Sequence, residues 1–246
     1  MSLVEIVSIE GYIQTTYLAV YPDKLMLIDS GCRGDVEPIL NYITDTLQRP
    51  LHQLKTVVVS HMHPDHAGGA ALLRKKTGCQ IVAGAEADVW YKGLSGRRQH
   101  VWDLILTHYV ANRQRKPKTY QWYAPSLKPD VIVKDRDTVP NFEEWVILET
   151  PGHTNCDLSL WHTPSNQVYT ADLILKIKNK FVSPYLITYP NKYKASLDKI
   201  KALHPSQLLL AHGRKTEISA EDFDSLIEKA PNEPRKMDFM EAIGFK

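Results

Sequence analysis

The chain has 246 residues, 43% of them hydrophobic, enough for one large core or at most two small ones. A net charge of +2 gives no reason to expect nucleic acid or a membrane surface as a partner, and no apolar run of about 18 residues is present to span a bilayer. The three cysteines, Cys32, Cys79 and Cys156, form no Cys-x-x-Cys pair, which argues against a thiolate metal site and for reduced, buried thiols.

Taken in chain order, apolar alternation predicts strands over 3–9, 12–20 and 25–29, the last ending in Asp29-Ser30-Gly31. A helix capped by Asp35 follows, with Ile39, Ile43 and Leu47 on one face. A strand over 56–60 then delivers His61-Met62-His63-Pro64-Asp65-His66, and a helix continues to Lys76. Residues 81–83 are another strand. Helical spacing of Val101, Leu104, Ile105 and His108 predicts a helix over 101–113. The second half repeats the pattern, with strands over 131–134, 145–149, 158–162 and 168–170 and helices over 195–203 and 219–229. Ser219 with Asp222 three residues on marks the start of the last helix. Two strand-rich halves with helices outside predict an α/β architecture, a four-layer αββα sandwich, in a single domain over 1–246.

The hexapeptide is the most informative element. Two residues apart on an extended segment, His61 and His63 project to the same side, where two neutral imidazoles can hold one cation. Past Pro64 the chain turns into a helix whose first turn carries Asp65 and His66, offering ligands to a second cation. Ala67-Gly68-Gly69-Ala70 adds almost no side-chain bulk, which allows a close approach of this helix to the sheet. Four other strand ends carry ligand-type residues: Asp29, His153 after Pro151-Gly152, Asp172 after Thr170-Ala171, and His212 after Leu210-Ala211. In layered α/β folds such groups collect in loops at one sheet edge. Two divalent cations roughly 3.5–4 Å apart lower the pKa of a shared water toward neutrality and polarise a carbonyl or phosphoryl oxygen, so no Ser or Cys nucleophile is required.

These residues, in this order, make the chain resemble the metallo-β-lactamase superfamily over roughly residues 25–213. The resemblance implies one metal held by His61, His63 and His153 and a second by Asp65, His66 and His212, with Asp172 bridging. Asp65, Asp172 and Asp29 are then the candidate catalytic carboxylates, Asp29 supporting the ligands from behind. Two Zn²⁺ are the implied cofactor, and an N/O ligand set also accepts Fe or Mn. Thr150-Pro151-Gly152-His153-Thr154 is similar to glyoxalase II members, although Ala171 stands where they usually have Gly. His66-Ala67-Gly68-Gly69 is similar to acyl-homoserine lactonases, although Leu175 stands where they have Tyr.

An insert over about 86–130 carries Trp90, Tyr91, Trp102, Tyr109, Tyr120, Trp122 and Tyr123 with Arg97, Arg98, Arg113, Arg115, Lys116 and Lys118. It reads as a segment packed on its own domain, as a lid or substrate wall, or as a nucleic-acid surface. Tyr185, Tyr189 and Lys176 are candidate substrate contacts and Cys156 a candidate pocket residue, while His100 and His108 read as structural. The function expected is a zinc-dependent hydrolase of an ester, thioester or lactone, acting on a small molecule without nucleic acid or membrane, as a monomer or homodimer. The N-terminus shows no signal-peptide pattern, so the expected compartment is cytoplasmic. The alternatives are a phosphodiesterase or ribonuclease of the same fold and an iron-dependent sulfur or redox enzyme.

Overall fold

A computed structural model describes residues 3–235. Residues 1–2 and 236–246, which the domain reading includes and on which the N-terminal reading partly rests, lie outside the described residues. The first half contributes β1 (Glu5–Glu10), β2 (Thr15–Val20), β3 (Leu25–Ile28), β4 (Leu54–Val59), β5 (Gln80–Gly84) and β6 (Val131–Val133), which form one sheet in that order. β1, β2 and β3 are antiparallel neighbours, whereas β3, β4, β5 and β6 run parallel. The helices α1 (Val36–Asn41), α2 (Pro64–Ala67), α3 (Ala70–Thr77) and α4 (Gly93–Arg113) fall between these strands.

The second sheet combines β7 (Thr138–Val139), β8 (Phe142–Glu149), β9 (Leu158–His162), β10 (Gln167–Tyr169) and β13 (Gln207–Leu209), in the order β13-β10-β9-β8-β7. β10 and β13 are parallel. β11 (Leu175–Ile177) and β12 (Lys180–Val182) form a separate hairpin, and α5 (Pro190–Lys201) and α6 (Ala220–Lys229) flank the second sheet.

Side-chain alternation builds the layers. On β4, Val58 points into the core shared by the two sheets, where it meets Met26, Ile28, Ile147, Leu160 and Leu209. Its neighbours Val57 and Val59 face the other way, toward Val36, Ile39, Ile43 and Leu73 of the first helical layer. On the far side Leu148, Val168 and Leu208 pack under Tyr193, Leu197, Ile200, Phe223 and Leu226 of α5 and α6. Burying each such aliphatic side chain contributes about 1.5–3 kcal/mol, so a one-residue slip of β4 would be opposed by several of them at once. The buried Tyr17 hydroxyl donates to the Leu210 carbonyl at 2.9 Å, tying one sheet to the strand end of the other. The result is the expected four-layer αββα sandwich.

Several elements depart from the sequence reading. Residues 11–14 are a turn, closed by Gly11 N–H donating to the Gln14 carbonyl at 2.7 Å, so β2 starts at Thr15. Asp35 does not cap its helix; its carboxylate reaches back to accept from Cys32 N–H and Tyr12 N–H, both at 2.7 Å, bracing the loop after β3. α1 ends in a π-turn over Tyr42–Thr46. α4 begins eight residues before the predicted start, because Gly96 lets it pack directly on Tyr91, where a Cβ would meet backbone at 2.3 Å. No helix among the described residues is long and apolar enough to cross a membrane.

Candidate metal centre

The sheet topology gathers the strand ends. β3 and β4 run parallel and paired, so Asp29 and Ser60-His61 emerge side by side, with Asp29 N–H bound to the Val58 carbonyl at 2.8 Å. Pro64 opens α2 at its first position, where its missing N–H costs nothing. The close approach expected of Gly68 and Gly69 is toward the loop after β3: a Cβ would lie 3.0 Å from Arg33 N at Gly68 and 2.6 Å from the Ser30 carbonyl at Gly69. From the second sheet, β8 delivers His153, β10 delivers Asp172 and β13 delivers His212. Asp29 and Ala171 both sit in the left-handed backbone region, at φ 57° and 44°. Non-glycine residues there cost about 1–3 kcal/mol and concentrate at functional loops.

All seven predicted ligands converge, in two groups. His61 Nε2 and His153 Nε2 each lie 3.0 Å from His63 Nδ1. Asp172 Oδ2 is 3.4 Å from His153 Nε2 and 3.9 Å from His61 Nε2. In the second group, Asp65 Oδ2 is 3.3 Å from His212 Nε2 and 3.7 Å from His66 Nε2. The other oxygen of Asp172, Oδ1, lies 3.2 Å from His66 Nε2 and 3.3 Å from His212 Nε2. One carboxylate therefore divides its two oxygens between the groups.

The donor set fits a pair of cations. His66 Nε2 and Asp172 Oδ1 are buried 3.2 Å apart but lack hydrogen-bond geometry toward each other or any other group, which is costly unless a cation sits between them. Burial, reinforced by His66 and His63, pushes the His61 imidazole far below its usual pKa, and burial also lowers that of His63. Both therefore present neutral rings. For His212, burial opposes the charged ring, but Asp172 and Asp65 overcome it and raise its pKa to about 10. The same balance, with Asp172, Asp65 and Asp29 against burial, holds His66 well above the usual range. In the metal-free chain protons thus fill the charge deficit between the carboxylates, and a bound cation would replace them.

The residues behind the ligands fix their orientation. The Asp29 carboxylate, fully buried, accepts from Ser60 N–H, Ser60 Oγ–H and His66 Nδ1–H at 2.7 Å and from Tyr169 Oη–H at 2.5 Å. His153 Nδ1–H donates to the Leu186 carbonyl at 2.8 Å. The bonds to His66 and His153 fix the Nδ1 proton and aim the opposite Nε2 into the site, where a bound cation would take its lone pair. The His153 loop is held by Asp157, which accepts from Gly152 N–H and Thr154 N–H at 3.2 and 2.7 Å.

The insert braces the same site. Tyr123 Oη–H donates to the Met62 carbonyl, between the two histidines. Asp103 on α4 is buried, accepts from Tyr91 Oη–H and Gln99 Nε2–H at 2.7 Å, and sets Oδ2 3.7 Å from His63 Nε2. Ser60, Tyr169, Asp103 and Tyr123 were missed by sequence reasoning. Only Ser60, adjacent to the hexapeptide, carried a local signal.

A cavity of about 1120 Å³ opens over the cluster. His63, Asp65, His153, Asp172 and His212 line it, whereas His61 and His66 lie behind. Asp103, Leu106, Thr107 and Val110 place α4 along one wall. Tyr185 and Lys176 line the cavity; Tyr189 does not, and instead its ring lies 5.1 Å beneath Lys192 Nζ at the start of α5. Cys156 is buried away from the lining, and its thiol is pushed up to about 12 by burial. His100 packs among Tyr91, Trp122 and Tyr123.

This fold and cluster belong to metallo-hydrolases. Residues 9–212 match the Metallo-beta-lactamase superfamily, and the chain belongs to that family. Over 52 residues it is 46% identical to a hydroxyacylglutathione hydrolase of Albidiferax ferrireducens, a stretch that is 21% of this chain and 19% of that protein. A probable metallo-hydrolase of Bacillus subtilis, YflN, is 22% identical over 229 residues, 78% of this chain and 76% of that one. Among solved structures, the archaeal superfamily protein ST1585 from Sulfolobus tokodaii aligns with a TM-score of 0.66 at 18% identity, covering 91% of this chain and 85% of that chain.

Proposed function

We propose that this protein is a dinuclear metal-dependent hydrolase of small-molecule esters, thioesters or lactones, with zinc as its cation. The observation that carries the reading is the division of Asp172 between two ligand groups that open together on one cavity. His61, His63 and His153 would hold one cation, Asp65, His66 and His212 the other, and Asp172 would bridge them. Such a pair, when bound, supplies Lewis acidity toward a carbonyl oxygen and an activated water at neutral pH.

The chain's own residues do the rest. Asp29 and the Leu186 carbonyl hold His66 and His153 in the tautomer that points a lone pair inward. α4 and the β11–β12 hairpin flank the cavity and limit the water around the acyl group. Asp65, whose carboxylate lines the cavity, is placed to take the proton released by water and return it to the departing oxygen or sulfur. In the net reaction water oxygen bonds to the acyl carbon, the carbon–oxygen or carbon–sulfur bond breaks, and an acid and an alcohol or thiol leave.

Family membership supports the metallo-hydrolase class, and the likeness to a hydroxyacylglutathione hydrolase over 52 residues supports an acyl substrate. The test combines metal analysis of purified protein with turnover of an ester, thioester and lactone panel. Zinc near two equivalents and hydrolysis abolished by His61→Ala or Asp172→Ala are expected. A fully loaded protein inert on the whole panel overturns the reading, and iron as the metal overturns its zinc component.

A further inference from the structure

The cavity is electrically lopsided. Its acids are Asp65 and Asp172 within the ligand set, Asp103 beside His63, and Glu10. Its bases are Lys116, Lys176, Lys178, Arg214 and Lys215, drawn from the end of α4, the β11–β12 hairpin and the loop after His212. Glu10 is already paired with Lys116 at 2.9 Å. Among the described residues the other four bases have no carboxylate within 4.0 Å. Lys176 donates to Thr216 Oγ1 at 2.6 Å and Lys215 to the Ile6 carbonyl, both neutral acceptors.

Their placement is fixed by backbone. Lys176 N–H bonds to the His212 carbonyl at 3.2 Å, so the hairpin is stitched to the strand end that delivers a ligand. Lys178 and Asn179 occupy the hairpin turn with φ 47° and 63°, the two positive values that a type I′ turn demands. Ile13, Leu106 and Val110 give the same lining an apolar patch. A neutral acyl chain would use that patch and leave the four bases without an anion bound among them.

We propose that the substrate carries an anionic group, a carboxylate or a phosphate, which the Lys176, Lys178, Arg214 and Lys215 cradle holds while the acyl carbon reaches the ligand cluster. This rests on the hydrolase reading above and narrows its substrate class. Paired charges at a partly solvated rim act mainly on KM and on association rate, and salt screens them.

The test compares 4-nitrophenyl butyrate with its glutarate and 4-phosphonobutanoate counterparts, which share a leaving group and differ in the tail's charge. With metal-loaded full-length protein at low salt, kcat/KM for one or both anionic esters is expected to exceed the neutral one by about tenfold or more, chiefly through KM. Which anionic arm leads distinguishes carboxylate from phosphate. Lys178→Met with Arg214→Met, both exposed side chains whose loss spares the core, should bring the ratio close to one. Calorimetry with free glutarate and free 4-phosphonobutanoate gives a second readout, and binding lost in the double variant is the expected result. Equal turnover of all three esters overturns the inference and leaves the hydrolase reading standing. No turnover, with anion binding that the double variant abolishes, supports the cradle and sinks the hydrolase reading. Tight, steeply salt-dependent binding of single-stranded RNA without preference for either anionic ester overturns the inference in favour of a nucleic-acid surface.

Discussion

Asp29→Asn is the sharpest probe of how the centre is built, because it changes one atom type at constant volume. The carboxylate receives four hydrogen bonds. With the amide oxygen kept on Ser60 N–H, the new NH₂ faces the hydroxyls of Ser60 and Tyr169 and the Nδ1–H of His66. Both hydroxyls can rotate and accept. The imidazole relieves the donor–donor clash only by moving its proton to Nε2, the nitrogen 3.2 Å from Asp172 Oδ1. That removes the lone pair offered to a cation by the Asp65, His66 and His212 group alone. Losing such support weakens metal binding about 10–100-fold, or about 1.4–2.7 kcal/mol. The lost charge-assisted bonds lower the stability of the metal-free protein by about 1.5–3 kcal/mol. Competitive titration with a chromophoric chelator should resolve two binding constants, of which one falls and the other holds. Tyr169→Phe serves as the control, since it removes one bond but leaves the tautomer of His66 alone, so stability drops while both constants persist. Unchanged constants in Asp29→Asn, or weakening confined to the other ligand group, would refute the tautomer argument.

Three further outcomes follow from residues around the site. Asp103→Asn should weaken cation binding by the His61, His63 and His153 group, by about tenfold if Asp103 orients His63 as other carboxylates orient ligand histidines, and the same chelator titration reads it. None of Cys32, Cys79 and Cys156 should react with a thiol reagent in the native protein, and all three should in urea, because each is buried with its pKa raised by burial; a single fast native thiol contradicts this. Burial raises the Asp35 carboxyl from 3.8 to about 6 against the two N–H groups it accepts. The folded state therefore favours its protonated form, and that stabilisation, full below about pH 4, is lost as pH rises through 6. The stability of wild type relative to Asp35→Asn should fall by about 2 kcal/mol between pH 4 and pH 7, measured by urea unfolding. A flat difference across that range would show that the N–H bonds outweigh burial.

The hexapeptide and the four other ligand-bearing strand ends were legible because each is local: an apolar strand, then a His or Asp at its terminus. The apolar run Val57-Val58-Val59 likewise revealed β4, buried on both faces, and the short alternation of Leu158, Ser159 and Leu160 revealed β9. Elements without local contrast were not legible. β7 is two residues long, and the β11–β12 hairpin alternates Leu, Lys and Ile over only three positions. α5 starts at Pro190 rather than at residue 195, its first turn reading as a Tyr-Pro-Asn-Lys loop although proline is at home in that position.

What lay furthest from sequence reading was the bracing of His63. Asp103 is 40 residues from its partner, and the spacing of Val101, Leu104, Ile105 and His108 that marked the helix carried no sign of a buried carboxylate on it. Its burial follows from packing instead: Gly96 brings α4 onto Tyr91, and the Tyr91 hydroxyl then turns the Asp103 carboxylate toward His63. The insert therefore does two things that its composition of aromatics and bases did not separate. Tyr123 and Asp103 steady a ligand loop, while Leu106 and Val110, on the same face of α4 as Asp103, line the cavity. Substitutions at Tyr123 and Asp103 should register in cation affinity, and those at Leu106 and Val110 in KM.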